Sequence, residues 1–154
     1  MMNRRTPKPR RVLIVAHRTA DSPELIAAVS DRSKRGPCRF TLLVPASPRG
    51  LHRVVDPEDH GVAEAEARLD AALPLLSAAA GETIAGSVGS HDPLAAVQDA
   101  INLLGFDEVI VSMLPVHLSR WLRLDLPRKV RALGLPVTEV VSADHLGSGK
   151  PAAA

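Results

Sequence analysis

The sequence SVGSHDPLAAVQDAINLLGFDEVIVS, residues 87–112, contains a complete helix followed by a strand. Asp92 and Pro93 form a helix-start signal, because an aspartate caps free backbone N–H groups and proline fits the first helical turn. Apolar residues then recur at helical spacing as far as Gly105, a residue type that commonly ends helices. The run VIVS after Glu108 is typical of a strand buried on both faces. The stretch therefore predicts a helix that leads into a central strand of a parallel sheet.

Strand signals alternate with helix signals along the rest of the chain. The predicted strands are residues 12–16, 40–44, 84–88, 108–112 and 135–141. Strictly alternating strands and helices require crossover connections, which are right-handed and place helices on both faces of a parallel sheet. We therefore predict an α/β fold, a three-layer α/β/α sandwich with a five-stranded parallel sheet.

A few residues are predicted to control where the helices begin and end. Asp21 is interpreted as the cap of the first helix. A long helix is predicted from near Pro57 to Gly81, and Pro74 is expected to kink it or shorten it by a turn. A last helix is predicted over residues 127–133.

Composition and charge indicate one cytoplasmic domain. The 154 residues fit a single domain, and the only cysteine, Cys38, allows neither a disulfide nor a thiolate metal site within the chain. No apolar run approaches the roughly 18 residues of a membrane span, so neither a membrane nor a metal is expected as a partner. The domain is predicted over residues 11–143. A disordered basic arm at residues 1–10, interpreted as a solvated leader and not a nucleic-acid contact, precedes it, and a flexible tail at residues 144–154 follows.

Residues 87–112 resemble the universal stress protein (UspA-like) pattern of a Gly-Asp-Pro-like turn, a helix, a Gly-x-Asp turn and a hydrophobic fourth strand. The tripeptide Leu135-Pro136-Val137 is similar to the Pro-Val pair that opens the last strand of that family. The chain is identified as a divergent member of this family, within the adenine nucleotide alpha hydrolase-like superfamily. The resemblance implies the sheet order 3-2-1-4-5, a homodimer through the edge of the fifth strand, and ATP or AMP as the usual ligand.

The segment after the fourth strand departs from the pattern of nucleotide-binding family members. Those members carry Gly-x2-Gly-x9-Gly-[Ser/Thr], in which glycines let backbone N–H groups close on phosphate oxygens. Here Ser112 and Pro115 occupy the first two glycine positions, and Asp125 and Leu126 occupy the final pair. Residues 106–133 contain no glycine at all. We therefore expect no ATP binding in the family manner and predict no bound cofactor.

Basic residues concentrate around the only tryptophan, Trp121, and leave two interpretations open. In the first, side chains near the switch in strand order bind a nucleotide or another anion, because ligands of open α/β sheets bind there and guanidinium groups grip phosphate. The candidate ligand-binding residues are His17, Ser112, Arg120, Arg123 and Arg128. In the second, Trp121 and its leucine neighbours cover the sheet edge or a dimer contact, while the arginines form a solvated face with Asp125 as a partner.

No catalytic residue is predicted. The serines have no nucleophile elbow around them, and the sequence contains neither a Walker loop nor a Rossmann glycine fingerprint. We therefore expect a regulatory or stress-response protein that is not an enzyme and acts through dimerisation and an unknown protein partner. The alternative is a nucleotide- or anion-binding module that uses the arginines of residues 117–131.

Overall fold

The protein is built on a five-stranded sheet with helices on both faces. A computed structural model describes residues 8–47, 57–115 and 118–143, without the side chains of residues 57–60 and of Arg123. The strands are β1 (Arg10–Val15), β2 (Cys38–Pro45), β3 (Ala85–Gly89), β4 (Glu108–Met113) and β5 (Val137–Val141). The helices are α1 (Pro23–Lys34), α2 (Pro57–Ala80), α3 (Pro93–Leu104), α4 (Arg120–Arg123) and α5 (Leu126–Arg131).

All strand pairs are parallel, and the sheet order is β3-β2-β1-β4-β5. This arrangement confirms the predicted fold class and strand order. After β3 the chain crosses back over the sheet and adds β4 on the free side of β1. The strand order therefore reverses between β1 and β4, and the loops that follow these two strands diverge there.

The core lies on both faces of β1. Val12 and Ile14 belong to a buried cluster with α1 and α2, whereas Leu13 and Val15 belong to a second cluster with α3 and α5. All four side chains are fully buried. Because successive strand residues point to opposite faces, this uninterrupted apolar run is what a central parallel strand requires.

The first helix is capped by Ser22 and not by Asp21, so that prediction was wrong. The Ser22 hydroxyl accepts a hydrogen bond from the backbone N–H of Leu25 at 3.1 Å. Pro23 is the first helical residue, which makes the residue directly before it the cap. At α3 the prediction is confirmed, because the Asp92 carboxylate accepts from the N–H groups of Leu94 and Ala95.

The long helix α2 is not shortened at Pro74 but continues to Ala80. Ala72 and Leu76, on either side of the proline, are both fully buried, and this packing offsets the loss of one backbone hydrogen bond. Gly81 follows with a φ of 75° and ends the helix as predicted. Within the described residues, no helix combines the length and hydropathy that a membrane span needs.

Ion pairs connect β1, α1 and β4 at the amino end of the sheet. The Arg32 Nε donates to Oε1 of Glu108 at 2.6 Å, and the Arg10 Nε donates to Oε2 of the same carboxylate at 2.8 Å. Arg10 was predicted to belong to the disordered basic arm, but it is the first residue of β1. The hydrogen bond from Arg32 is the main reason that the pKa of Glu108 lies below its usual range.

We expect Glu108→Gln to lower the free energy of unfolding by about 3 kcal/mol at pH 7, because it leaves the buried Arg32 without its counter-charge. Urea denaturation measures this loss. The folded-state pKa of Glu108 is lowered, so its contribution is complete above an unfolded pKa of about 4.3 and disappears as the pH falls below it. The difference between the wild type and the variant should therefore shrink in acid.

The pair between Arg131 and Glu139 provides the matched control. Its side chains are 47% and 38% exposed, and the Nη2 to Oε2 distance is 2.7 Å. Glu139→Gln should cost less than about 1 kcal/mol, because solvent screens an exposed pair. Equal losses in the two variants would contradict the special role of Glu108.

Candidate functional site

A cavity of about 430 Å³ lies at the carboxyl ends of β1, β2 and β4. It occupies the point where the strand order reverses, which is the usual ligand position in open α/β sheets. Its size falls within the range of small-molecule sites. The first βα loop, the end of β2, the start of α3 and the segment around α4 all contribute to its walls.

The apolar wall comes from the segment that follows β4. Pro115 lies two residues after the end of β4, and its carbonyl oxygen accepts hydrogen bonds from the N–H groups of both Leu118 and Ser119, each at 2.8 Å. The Ser119 hydroxyl then caps α4 by accepting from the N–H of Leu122 at 3.2 Å. This local turn places Leu118 and Trp121 over the cavity. Trp121 also packs against the core cluster of the α3 and α5 face.

A buried pair of hydroxyl groups lies between the first loop and the end of β4. The Thr19 Oγ1 and Ser112 Oγ atoms are 2.6 Å apart, and both residues line the cavity. Thr19 is 4% exposed and Ser112 is 1% exposed, so the two hydroxyls satisfy each other. A second buried pair, Ser22 and Ser142 at 2.8 Å, joins the start of α1 to the end of β5.

The polar wall is a chain of hydrogen bonds that we call the His17–Ser47–Glu64 array. The His17 Nε2 and Ser47 Oγ atoms are 2.9 Å apart, and the Ser47 hydroxyl donates to Oε2 of Glu64 at 2.7 Å. The other carboxylate oxygen, Oε1, accepts from Nη2 of Arg68 at 3.2 Å. The array therefore joins the loop after β1, the loop after β2 and the second turn of the described part of α2.

Gly61 allows α2 to approach the loop after β2. The N–H of Ser47 donates to the carbonyl oxygen of Gly61 at 3.3 Å. A Cβ atom at Gly61 would lie 2.8 Å from the Ser47 carbonyl oxygen, closer than real Cβ contacts. Glycine at this position therefore brings Glu64, one helical turn later, within reach of the Ser47 hydroxyl.

The pKa values of His17 and Glu64 in the array lie below those of the free side chains. Burial lowers the pKa of His17, and the nearby Arg68 charge lowers it further. The hydrogen bond from Ser47 is the main reason that the pKa of Glu64 is lowered. At neutral pH, His17 is therefore a neutral imidazole and Glu64 is a carboxylate.

The structure brings three of the five predicted site residues together. His17, Ser112 and Arg120 line the cavity. Arg128 is not among the described residues of the lining; it is 83% exposed and pairs with Asp125 at 3.6 Å. The side chain of Arg123 lies outside the described part of the structure, as does His117 of the basic segment.

The sequence did not indicate several residues of the cavity. Thr19, Ser47 and Glu64 line the cavity and form hydrogen bonds there. His91, just before α3, lies on its wall. Ser47 could have been predicted as a site residue, because it follows a predicted strand. Residues in such positions meet at the carboxyl edge of a parallel sheet. Glu64 lies on a helix far along the chain, and only the packing of α2 brings it here.

Asp125 adopts a left-handed backbone conformation, with φ 56° and ψ 39°. Glycine takes this conformation freely, and aspartate takes it at a cost of about 1–2 kcal/mol. The position is the one that the family resemblance aligned with a glycine of the phosphate loop. The backbone conformation of a glycine is thus present here without the glycine.

Solved structures of universal stress proteins have the same fold. A universal stress family protein from Burkholderia pseudomallei superimposes with a TM-score of 0.61 at 15% identity, over 85% of this chain and 95% of that chain. A universal stress protein in complex with cAMP gives a TM-score of 0.51 at 18% identity, over 86% of this chain and 95% of that chain. A hypothetical protein gives 0.59 at 17% identity, over 88% and 97%.

Sequence comparisons give no further relative: no protein-family model and no curated protein matches the chain. The solved structures are 15–18% identical in sequence to this chain, so the structural likeness shows a shared fold alone. The protein therefore has the universal stress protein fold, as the sequence predicted.

The electrostatics of the array are open to a direct test with Arg68→Gln. Removing this charge should raise the pKa of His17 towards its ordinary value of about 6.5, because Arg68 disfavours a second positive charge beside it. An NMR titration of the histidine ring measures the shift. Arg39→Gln removes the same charge from an exposed position in β2 and should leave the pKa of His17 unchanged. Equal pKa values of His17 in the two variants would contradict the effect of the Arg68 charge on His17.

Proposed function

We propose that the chain is a regulatory or stress-response protein of the universal stress protein type, not an enzyme, which acts in the cytoplasm as a homodimer with a protein partner. We further propose that it does not bind ATP in the manner of the glycine-loop members. The shared fold supports the general class. A single cysteine without a disulfide partner fits a reducing compartment.

The proposed loss of ATP binding rests on backbone N–H groups after β4 that already donate hydrogen bonds within the segment. A phosphate loop needs several unengaged N–H groups that converge on one anion. Here Pro115 has no N–H, and the N–H groups of Leu118 and Ser119 already donate to the Pro115 carbonyl oxygen. The N–H of Leu122 donates to the Ser119 hydroxyl. The N–H groups of Leu118, Ser119 and Leu122 are therefore engaged within the segment itself.

The edge of the sheet at β5 supports the homodimer. In the described part of the chain β5 pairs only with β4, so its other side presents backbone donors and acceptors. Such an edge is a template for pairing with a second chain. Val141 at the end of β5 is 52% exposed and adds apolar surface.

Thermal unfolding with and without millimolar magnesium-ATP, combined with light scattering, tests the proposal. We expect a dimer whose melting temperature does not change. A ligand at about one hundred times its Kd would add about 2.7 kcal/mol of stability and raise the melting temperature by a few degrees. An ATP-dependent shift of that size would overturn the proposed loss of ATP binding.

The dimer interface is tested by Val141→Glu, which should give a monomer because it places a charge at the β5 edge. Leu103→Glu is the matched control, since it places the same charge on an apolar side chain that is 82% exposed near the end of helix α3. The control should remain a dimer. A monomeric wild type, or a dimer that survives Val141→Glu, would contradict the β5 interface.

A second candidate function is the binding of a small anionic ligand in the cavity. Arg18 and Arg120 both line it, and Trp121 offers an aromatic surface beside them. Guanidinium groups bind phosphate and carboxylate through charge-assisted hydrogen bonds, so they can replace backbone donors. The cAMP complex of a protein with this fold supports a nucleotide as one ligand to try.

Arg120→Glu and Arg128→Glu distinguish a cavity ligand from binding to the basic surface in general. Both changes reverse one charge, but only Arg120 lines the cavity. With AMP as the probe, we expect Arg120→Glu to weaken binding at least tenfold, the size of one lost charge-assisted hydrogen bond, and Arg128→Glu to weaken it less than threefold. Isothermal titration calorimetry measures both. No AMP binding to the wild type, or equal losses, would contradict this second function.

A further inference from the structure

Exposed basic side chains gather at the amino end of the sheet, opposite the cavity. Arg39 in β2 lies directly beside Arg11 in β1, because the two residues are partners in the parallel register. Lys8 precedes β1, and Arg35 follows α1, whose carboxyl end lies at this end of the sheet because the crossover runs against the strands. All four residues are exposed. Within the described part of the chain, Lys8, Arg35 and Arg39 form no ion pair.

The Arg11 side chain joins this basic surface to the end of α3. Its Nη1 donates a hydrogen bond to the carbonyl oxygen of Leu104, and its guanidinium carbon lies 5.5 Å from the centre of the Phe106 ring. Both partners are neutral, so these contacts leave the positive charge of Arg11 in place. A cation is favourable at this point, because the carboxyl end of a helix carries a partial negative charge. Arg11 is therefore held beside the last turn of α3.

The last turn of α3 exposes two neighbouring leucines. Leu103 is 82% exposed and Leu104 is 48% exposed. Ala96 and Val97, earlier in the same helix, are buried against the sheet, so the apolar residues of α3 continue beyond the part that the sheet covers. Single exposed apolar side chains are ordinary on protein surfaces. An exposed apolar pair beside several cations is instead typical of surfaces that enter the interface of a bilayer.

Acidic side chains at the same end do not cancel this charge. Arg10 and Arg32 share the carboxylate of Glu108, so that group is positive as a whole. The other acidic residues of this end are Asp31, Glu82 and Asp107. They are fewer than the exposed cations, which also include Lys34. The chain that leads into β1 adds further arginines, and no acidic residue precedes Asp21 in the sequence.

The combination of cations and leucines fits an anionic bilayer better than a nucleic acid. Guanidinium groups bind the phosphates of either partner. Proteins that bind single-stranded nucleic acid add aromatic side chains, on which the bases stack. The chain has three aromatic residues; Phe40 and Phe106 are buried, and Trp121 lies at the cavity. A bilayer offers anionic headgroups to the arginines and an apolar interior to the leucines.

We propose that Arg11, Arg39, Leu103 and Leu104, which we call the arginine–leucine patch, dock the protein on the surface of a membrane that contains anionic lipid. The leucines enter the headgroup region, and the arginines pair with lipid phosphates. The cavity lies at the opposite end of the sheet and stays open to solvent. The expectation of no membrane partner rested on the lack of a spanning segment, and a surface contact needs none. The proposal is independent of ligand binding in the cavity.

Flotation of the full chain with lipid vesicles tests the docking directly. Vesicles of phosphatidylglycerol mixed with phosphatidylcholine should carry the protein with them, whereas vesicles of phosphatidylcholine alone should not. Raising the salt concentration from about 0.1 M to about 1 M should release most of the protein, because it shortens the Debye length from about 10 Å to about 3 Å. No binding to the anionic vesicles, or equal binding to both kinds, would overturn the proposal.

The role of the arginines is tested by Arg39→Gln. Binding to the anionic vesicles should weaken about fivefold, which is the effect of one basic residue near an anionic surface. Arg128→Gln removes the same charge from an 83% exposed side chain of α5, outside the patch, and should leave binding within about twofold of the wild type. Equal losses in the two variants would show attraction to the net charge alone and would contradict docking through the patch.

The role of the leucines is tested by Leu103→Gln, which keeps the charge of the protein unchanged. Binding to the anionic vesicles should weaken about fivefold or more, because the variant buries less apolar surface in the bilayer. Leu75→Gln makes the same change at a 45% exposed position of α2 and should leave binding within about twofold of the wild type. Thermal unfolding checks that both variants are folded. Equal affinities of these two variants would rule out insertion of Leu103.

A fluorescent DNA duplex separates a membrane from a nucleic acid as the partner of the same surface. We expect the duplex to bind more weakly than the anionic vesicles, and Leu103→Gln to leave duplex binding unchanged, because a phosphate backbone offers the leucine no apolar partner. Duplex binding that depends on Arg39, together with no binding to the anionic vesicles, would assign the surface to a nucleic acid and overturn the proposal.

Discussion

The burial of β1 on both faces is the constraint on which the rest of the structure depends. Residues 12–15 are fully buried, and the strand pairs with β2 on one side and β4 on the other. The loop that leaves β1 is therefore flanked by the ends of both neighbours. His17 contacts Ser47 after β2, while Thr19 contacts Ser112 at the end of β4. The loop after β1 thus contributes both Thr19 of the buried hydroxyl pair and His17 of the polar wall.

The segment after β4 uses, within its own turn, backbone N–H groups of the kind that a glycine-rich phosphate loop directs at an anion. The N–H groups of Leu118 and Ser119 donate to the Pro115 carbonyl oxygen, and the Ser112 hydroxyl is paired with Thr19. The described side chains that line the cavity include His17, Ser47 and Glu64 of the array, the guanidinium groups of Arg18 and Arg120, and Trp121.

The sequence predicted the ends of helices well where residues close together in the chain form the cap. Asp92 and Gly105 were assigned correctly as the ends of α3, because caps involve residues only a few positions apart. Asp21 was assigned wrongly, since Ser22 is an equally good cap and lies next to Pro23. The sheet order came from the resemblance of residues 87–112 to a known family, and not from the spacing of apolar residues.

The amino-acid sequence by itself determined the alternation of strands and helices, the buried character of the central strands and the lack of glycine in residues 106–133. Each is a property of one residue or of a short run. The tertiary structure decided which polar groups meet, because hydrogen bonds such as that between Ser47 and Glu64 join elements whose separation in space depends on how α2 packs on the sheet. The placement of α4 and α5 likewise puts Arg120 on the cavity and leaves Arg128 exposed, a difference that their sequence surroundings do not contain.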